Sequence, residues 1–297
     1  MIVGVIGSGP WGRALATLAA EAGNQPRIGY RGKPPRGFRG TPNLSALSRE
    51  VELLLIAVPT AEVRAAVRSA RPGPGNRVVL ACRGLEPATG KWLSSVVTEE
   101  SSAVRVGALT GPALAAEVLA RRPSAMVAAS AFDEVATMTQ AALHSPICRV
   151  YTSNDLIGVE LAGAMVHVLA VAVGMADGLQ LGVGVHGVVV TRGLAEARRL
   201  GKALGASDGT FAGLAGVGDL VACANHPEHP GYGIGRRLSR TQGADPKMAA
   251  EAMALVSLAE RNGVDLPLTR AIAAIAAGTL EPRLAIDMLM RRQATSE

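Results

Sequence analysis

At 297 residues, with a net charge of +6, 48% hydrophobic residues and only 3% aromatics, the chain exceeds the usual size of one domain and points to two domains sharing a cleft. Its core must be built from Ala, Val and Leu. The basic residues do not alternate with aromatics that would stack on bases, so nucleic acid is not an expected partner and a small anionic molecule explains the charge better.

A run of about 18 uninterrupted apolar residues, enough to span a bilayer, does not appear. The first apolar run, Ile2 to Ile6, follows no basic stretch and leads into glycines rather than a cleavage site, so the expectation is a cytoplasmic protein with neither membrane span nor secretory leader. Cys82, Cys148 and Cys223 are odd in number and scattered, which fits reduced thiols rather than a disulfide framework.

Short apolar runs alternate with amphipathic segments through the N-terminal half, the pattern of a parallel sheet with crossover helices. Strands are expected at Ile2 to Ile6, Pro26 to Tyr30, Val51 to Val58, Arg77 to Ala81, Val104 to Leu109 and Ala125 to Ala129. From about Asp155 the strand signals stop. Ala-rich segments such as Leu156 to Leu179 and Val188 to Leu204 read as helices, placing a domain boundary near residue 150 and dividing the chain into 1–150 and 151–297. Glycine-rich Asp208 to Gly218 and the His, Pro and Gly cluster Asn225 to Gly235 read as loops lining a cleft, and the tail, Ala294 to Glu297, as frayed.

The first strand runs into Gly7-Ser8-Gly9-Pro10-Trp11-Gly12, and Arg13 to Ala22 continues as a helix. In this setting G-x-G-x-x-G is a dinucleotide fingerprint. Gly7 permits the tight turn, Gly9 the approach of a pyrophosphate and Gly12 the packing of helix on strand, while the helix N-terminus offers amide donors. A glycine turn without ligand is the bland alternative. An NAD site usually carries an acid at the end of the second strand, but here that strand ends at Tyr30-Arg31-Gly32-Lys33, within a basic stretch from Arg27 to Arg39. Arg31 and Lys33 favour a 2′-phosphate, hence NADP over NAD, unless they belong to a solvated loop.

Pro59-Thr60, Arg83-Gly84-Leu85-Glu86 and Gly111-Pro112-Ala113 follow later strands and complete a rim of loops at the carboxyl ends, where such sheets bind ligands. Further on, Cys223, His226 and His229, with Glu228 alongside, form C-x-x-H-x-x-H, a set of zinc-ligand types. The spacing is not a standard one and Pro227 and Pro230 argue for a stiff loop, so no metal is expected.

These residues resemble the bacterial NAD(P)-dependent glycerol-3-phosphate dehydrogenases over nearly the whole chain. Gly7 to Gly12 is similar to the family's G-x-G-x-W-G, Arg83 to Glu86 to its K-G-L-E, and Gly111-Pro112-Ala113-Leu114-Ala115-Ala116-Glu117 to its G-P-S-F-A-x-E. Gly158 to Leu161, Ala176 to Leu179, Thr191 to Glu196, Thr210 to Leu220 and Asp265 to Leu268 also resemble family signatures. The resemblance implies an α/β Rossmann domain with a parallel sheet and an all-α C-terminal domain of the 6-phosphogluconate-dehydrogenase type. It further implies a homodimer, a place in glycerophospholipid metabolism and reduction of dihydroxyacetone phosphate with NAD(P)H. Cofactor contacts would fall on Gly7, Ser8, Gly9, Pro10, Trp11, Gly12, Arg31, Lys33, Pro59, Arg83 and Ala115.

The chain departs from the family pattern where the chemistry lies. The family's G-A-L-K-N-V, whose lysine is the acid/base, stands here as Gly163-Ala164-Met165-Val166-His167-Val168, so Val166 replaces the lysine. Arg83 replaces the lysine of K-G-L-E and Ala113 the serine of G-P-S. The phosphate-binding S-R-N falls on His229-Pro230-Gly231, and the glutamate of a later V-E-G motif near Lys247. Pro34 to Leu44 replaces a tyrosine-leucine-proline-glycine stretch.

Substrate contacts are then expected from Arg83, Gly111, Ala113, His167 and Asp219, with His167, Asp219 and Arg83 as the catalytic set. His167 is either a substitute proton donor or a helix histidine satisfying a backbone carbonyl. His186, where the family usually has a basic residue, is open to a surface or substrate-facing role. Two functions remain: an oxidoreductase whose substrate has shifted from dihydroxyacetone phosphate, and a catalytically silent homologue that binds dinucleotide or a partner.

Overall fold

The computed structural model describes residues 1–224, 226, 229–240 and 243–291. The expected frayed tail and Glu228 of the histidine segment lie outside the described residues. The first half follows the strand-helix alternation of the sequence. It runs β1 (Ile2–Ile6), α1 (Pro10–Glu21), β2 (Gln25–Gly29), β3 (Arg39–Thr41), α2 (Leu44–Glu50), β4 (Leu53–Ile56), a 3-10 turn Thr60–Glu62, α3 (Val63–Ala70), β5 (Arg77–Leu80) and α4 (Leu93–Glu100). It continues through β6 (Arg105–Thr110), α5 (Ala115–Leu119), β7 (Ser124–Ser130), α6 (Asp133–Leu143) and β8 (Cys148–Ser153). The strands form one sheet in the order β3-β2-β1-β4-β5-β6-β7-β8.

Chain order reverses between β1 and β4, which creates the crevice where such sheets receive ligands. β4 is buried throughout, as a central strand covered by helices on both faces must be. One strand departs from the expected parallel arrangement. β7 pairs antiparallel with β6, opposing Gly107 to Ser130 and Thr110 to Val127. Two strands, β3 and β8, stand where no strand is expected, because both lie at sheet edges and carry exposed polar residues instead of an apolar run.

The second half is helical among the described residues: α7 (Leu156–Gly178), α8 (Val183–Ala203), α9 (Asp208–Ala212), a π turn Leu214–Gly218, α10 (Asp219–Ala224), α11 (Pro230–Arg240), α12 (Pro246–Arg261), α13 (Pro267–Ala276) and α14 (Pro282–Met290). Asp155 caps α7, accepting from Gly158 N at 2.9 Å. α7 is the one described helix long and apolar enough to cross a membrane, and most of it is buried inside the protein. It forms the axis around which the helical half packs.

The two expected loops are corrected. Asp208 to Gly218 forms α9 and the π turn, and the segment expected as a loop up to Gly235 enters α11 at Pro230. Proline is compatible with the first turn of a helix, whose amide has no intrahelical partner. The glycines that look like breakers allow contact instead: a Cβ on Gly235 would lie 2.0 Å from the Val171 carbonyl oxygen on α7.

Candidate active site

The β1–α1 turn is shaped for a dinucleotide. Gly7 has φ +124°, and a Cβ there would lie 2.2 Å from the Ala57 carbonyl oxygen at the end of β4, so only glycine suits the position. A Cβ on Gly12 would meet the Gly7 carbonyl oxygen at 1.9 Å. Gly9 has nothing within 4 Å of where its Cβ would be, and it caps α1 without a side-chain hydrogen bond. Clear space over Gly9 and uncapped amides at a helix N-terminus fit a pyrophosphate.

Ser8 is half-buried and Pro10 exposed beside it. Trp11 Nε1 donates to the Ala81 carbonyl at 2.7 Å, and Thr60 Oγ1, next to exposed Pro59, donates to the Arg83 carbonyl at 2.9 Å. These bonds tie the turn, the loop after β4 and the loop after β5 into one rim. Arg31 and Lys33 are exposed beyond β2, and Arg31 forms an ion pair with Glu62. Ala115 opens α5 on the far side of the rim.

Across the rim, Arg83 meets the helical half. Its Nη2 donates to Asp219 Oδ1 at 2.9 Å and to the Gly111 carbonyl at 3.0 Å, while Nη1 lies 3.7 Å from Cys223 Sγ. Asp219 is wholly buried and also accepts from Thr110 Oγ1 at 3.1 Å. Burial pushes the Asp219 carboxyl above the usual carboxylate range, and Arg83 and Thr110 offset part of that. The Cys223 thiol is pushed up to about 12 by burial, then by Asp219, so it is not a nucleophile near neutral pH. Ala113 is buried, its amide bonded to the Gly111 carbonyl at 2.7 Å.

Val166 is 1% exposed. Beside it, His167 retains 22% side-chain exposure and places Nε2 3.2 Å from Glu251 Oε2. The ring of His229 stands edge-on to that of His167, 6.2 Å between centroids. Burial, then the charge of Arg83, lowers His229 to about 3, so it is neutral at physiological pH. Its Nδ1 is buried without a hydrogen-bond partner among the described residues. His226 turns away, Nε2 lying 3.4 Å from Glu117 Oε1. Among the described residues, no three His, Cys, Asp or Glu side chains come together to hold a metal. His186 lies elsewhere, Nε2 2.7 Å from Asp177 Oδ1, and Tyr232 donates its hydroxyl to the same carboxylate.

The expected residues Arg83, Gly111 and Asp219 therefore share one cluster, and His167 stands with His229, which senses the charge of Arg83. Thr110 and Glu251 are additions to the sequence reading, while His229, expected in the zinc-type spacing and at the S-R-N position, stands beside His167. Thr110 is hidden in a strand. Glu251 was detectable as a lone acid among Met248, Ala252, Leu255 and Val256 on the buried face of α12.

A switch-point crevice with a phosphate-shaped turn, facing a helical half that brings polar side chains to the same edge, defines the two-domain dinucleotide-dependent dehydrogenases. Residues 31–136 match the family model for the N-terminus of NAD-dependent glycerol-3-phosphate dehydrogenase, and residues 155–287 match that for its C-terminus. A glycerol-3-phosphate dehydrogenase [NAD(P)+] of Streptomyces coelicolor is 37% identical, the match covering 99% of this chain and 97% of the relative. One from Methylibium petroleiphilum is 38% identical, covering 100% and 98%. The crystal structure of glycerol-3-phosphate dehydrogenase (gpsA) from Coxiella burnetii superposes with a TM-score of 0.88 at 28% identity, covering 98% of this chain and 99% of that one. The chain belongs to the NAD(P)-dependent glycerol-3-phosphate dehydrogenase family.

Proposed function

We propose that this family member is an NAD(P)-dependent oxidoreductase acting on the CH–OH or ketone group of a small anionic substrate, for which dihydroxyacetone phosphate is a poor choice. The observation that carries the proposal is Val166, 1% exposed, at the position where the resemblance expects the acid/base lysine. A valine holds no proton, and losing a general acid costs about 10² to 10⁴ in rate.

The dinucleotide would be held by Gly7, Ser8, Gly9, Pro10, Trp11 and Gly12, flanked by Pro59 and Ala115; bound there, its nicotinamide supplies or accepts the hydride. Arg31 and Lys33 support NADP(H) over NAD(H). Substrate would lie at Arg83, Gly111, Ala113 and His167. Arg83 contributes a fixed positive charge, but its bonds to Asp219 and Gly111 leave only part of its fork for a ligand. Asp219, being fully buried, acts by holding Arg83 in place. His167 places an imidazole, a side chain suited to proton transfer, beside Val166 at this edge. In this reading the dinucleotide-binding domain spans 1–150 and the substrate domain 151–297, and the protein works as a cytoplasmic homodimer.

A survey of NADPH and NADH oxidation against phosphorylated and unphosphorylated small ketones, with calorimetry of cofactor binding, tests the proposal. Sustained turnover of any of them supports it. Tight cofactor binding without turnover supports the catalytically silent homologue instead.

A further inference from the structure

On α12, Met248, Ala252, Leu255 and Val256 form the face that packs into the helical core, and Glu251 stands in that face at 7% exposure. A carboxylate buried among aliphatic side chains is costly unless a polar or charged partner meets it. The partner is His167, whose Nε2 lies 3.2 Å from Glu251 Oε2. His167 in turn departs from its surroundings: Val166 and Val168 on either side are each 1% exposed, while the imidazole keeps 22% exposure. One edge of the ring thus faces a buried acid and the ring still reaches solvent.

A carboxylate on one imidazole nitrogen selects the tautomer and fixes the ring, which decides what the other nitrogen can do. His229 is the neighbouring ring from the segment ahead of α11, 6.2 Å away between centroids. Because burial and Arg83 keep His229 neutral at physiological pH, it places no second cation beside His167.

We infer that Glu251 is a positioning residue for the reaction proposed above, and the inference rests on that reading: its carboxylate, 3.2 Å from His167 Nε2, holds the imidazole so that Nδ1 carries the exchanged proton. In the reducing direction a bound nicotinamide would supply a hydride, a hydrogen with its bonding electrons, to the carbonyl carbon; its own C–H bond breaks, a new C–H bond forms, and the C–O π electron pair moves onto the oxygen. The oxygen keeps that electron pair and takes the proton from His167 Nδ1. The imidazolium becomes neutral imidazole, and solvent returns the proton once the product leaves. Oxidation runs the same transfers in reverse.

The test compares wild type, Glu251→Leu, Glu251→Gln, His167→Ala and the double variant Glu251→Leu with His167→Ala. Leu keeps the volume and removes the acceptor; Gln keeps an acceptor oxygen without the charge. Histidine-selective 15N labelling follows ring N–H resonances, and NADPH oxidation is measured with dihydroxyacetone phosphate and hydroxyacetone. A slowly exchanging ring N–H is expected in wild type and absent from Glu251→Leu and His167→Ala. Each of those two variants should lower kcat about tenfold or more with KM and NADPH affinity unchanged, Glu251→Gln should retain more activity than Glu251→Leu, and the double variant should be no worse than either single one.

A ring N–H that survives Glu251→Leu overturns the positioning role and leaves the dehydrogenase reading standing. So does a wild-type kcat in that variant when His167→Ala is impaired. Unchanged turnover in His167→Ala removes His167, and Glu251 with it. No turnover by wild type with either ketone, nor with any in the wider survey, overturns the dehydrogenase reading and this inference together.

Discussion

Arg83 and Asp219, 136 residues apart in the chain, meet with Nη2 2.9 Å from Oδ1, and the carboxylate has no solvent exposure. The pair joins the loop after β5 to the first turn of α10, so it ties the sheet edge to the helical half. It also commits the carboxylate: Asp219 faces Arg83 and Thr110 rather than open cleft.

Asp219→Ala should therefore destabilise the fold. Removing one partner of a buried pair leaves the other charge unpaired and costs about 3 to 5 kcal/mol, and Arg83, with 19% side-chain exposure, belongs at the lower end. Urea unfolding should show a loss near ~3 kcal/mol, largely restored when Arg83→Met is added, because an apolar pair of similar volume needs no counter-charge. A loss below ~1 kcal/mol would mean that water reaches the guanidinium well enough to replace the carboxylate.

NADP(H) should bind more tightly than NAD(H). Arg31 is exposed beyond β2 and its ion pair is with Glu62, itself part of the turn after β4. A 2′-phosphate would compete with Glu62 for the guanidinium, and a charge-assisted bond of this kind is worth about 1 to 3 kcal/mol. Calorimetry should find that Arg31→Ala weakens NADP(H) by that amount and leaves NAD(H) unchanged, while Glu62→Gln strengthens NADP(H). Equal losses for both cofactors would place the side chain away from the 2′ position.

Glu160 gives the fold a pH dependence. It reaches from α7 to the start of α4, accepting from Ser94 N at 3.0 Å and Ser94 Oγ at 2.6 Å, and burial raises it to about 7 despite those bonds. Because the folded value lies above the ordinary 4.5, the folded state holds the proton more tightly than the unfolded chain. The resulting stability is fully present below pH 4.5, falls as pH rises through 7 and is lost above it, a change of about 3 kcal/mol for this group. Glu160→Gln should flatten that part of the stability profile. An unchanged slope between pH 4.5 and 7 would assign it to other groups.

Much of the fold is legible in the sequence because β1, β4, β5 and β6 are apolar runs and α7 is an unbroken apolar helix, patterns fixed by burial on both faces. What escapes has a physical cause in each case. β3 and β8 are edge strands with polar exposed residues, and α11 is disguised by a proline at its start and glycines chosen for contact with α7. The direction of β7 leaves no local trace, since it depends on how the chain crosses from β6. At the site, Gly7 to Gly12 and the Arg83 loop are readable as motifs. The Arg83–Asp219, Thr110–Asp219 and His167–Glu251 pairings are not, because each joins residues distant in sequence.

We propose that the family scaffold persists here while its proton-transfer and phosphate-binding chemistry differs. This claim is tested most directly by measuring kcat/KM for dihydroxyacetone phosphate with NADPH on this protein and on its Streptomyces coelicolor relative side by side. The expected value here is lower by about 10² or more, since the family resemblance sets an ammonium at position 166 and phosphate contacts at 230 and 231, where Val166, Pro230 and Gly231 would supply neither, and each is worth about that much. Val166→Lys should recover little of it, because the phosphate contacts would still be absent. Equal kcat/KM for the two unmodified proteins would contradict the claim and show that another residue has taken the lysine's role.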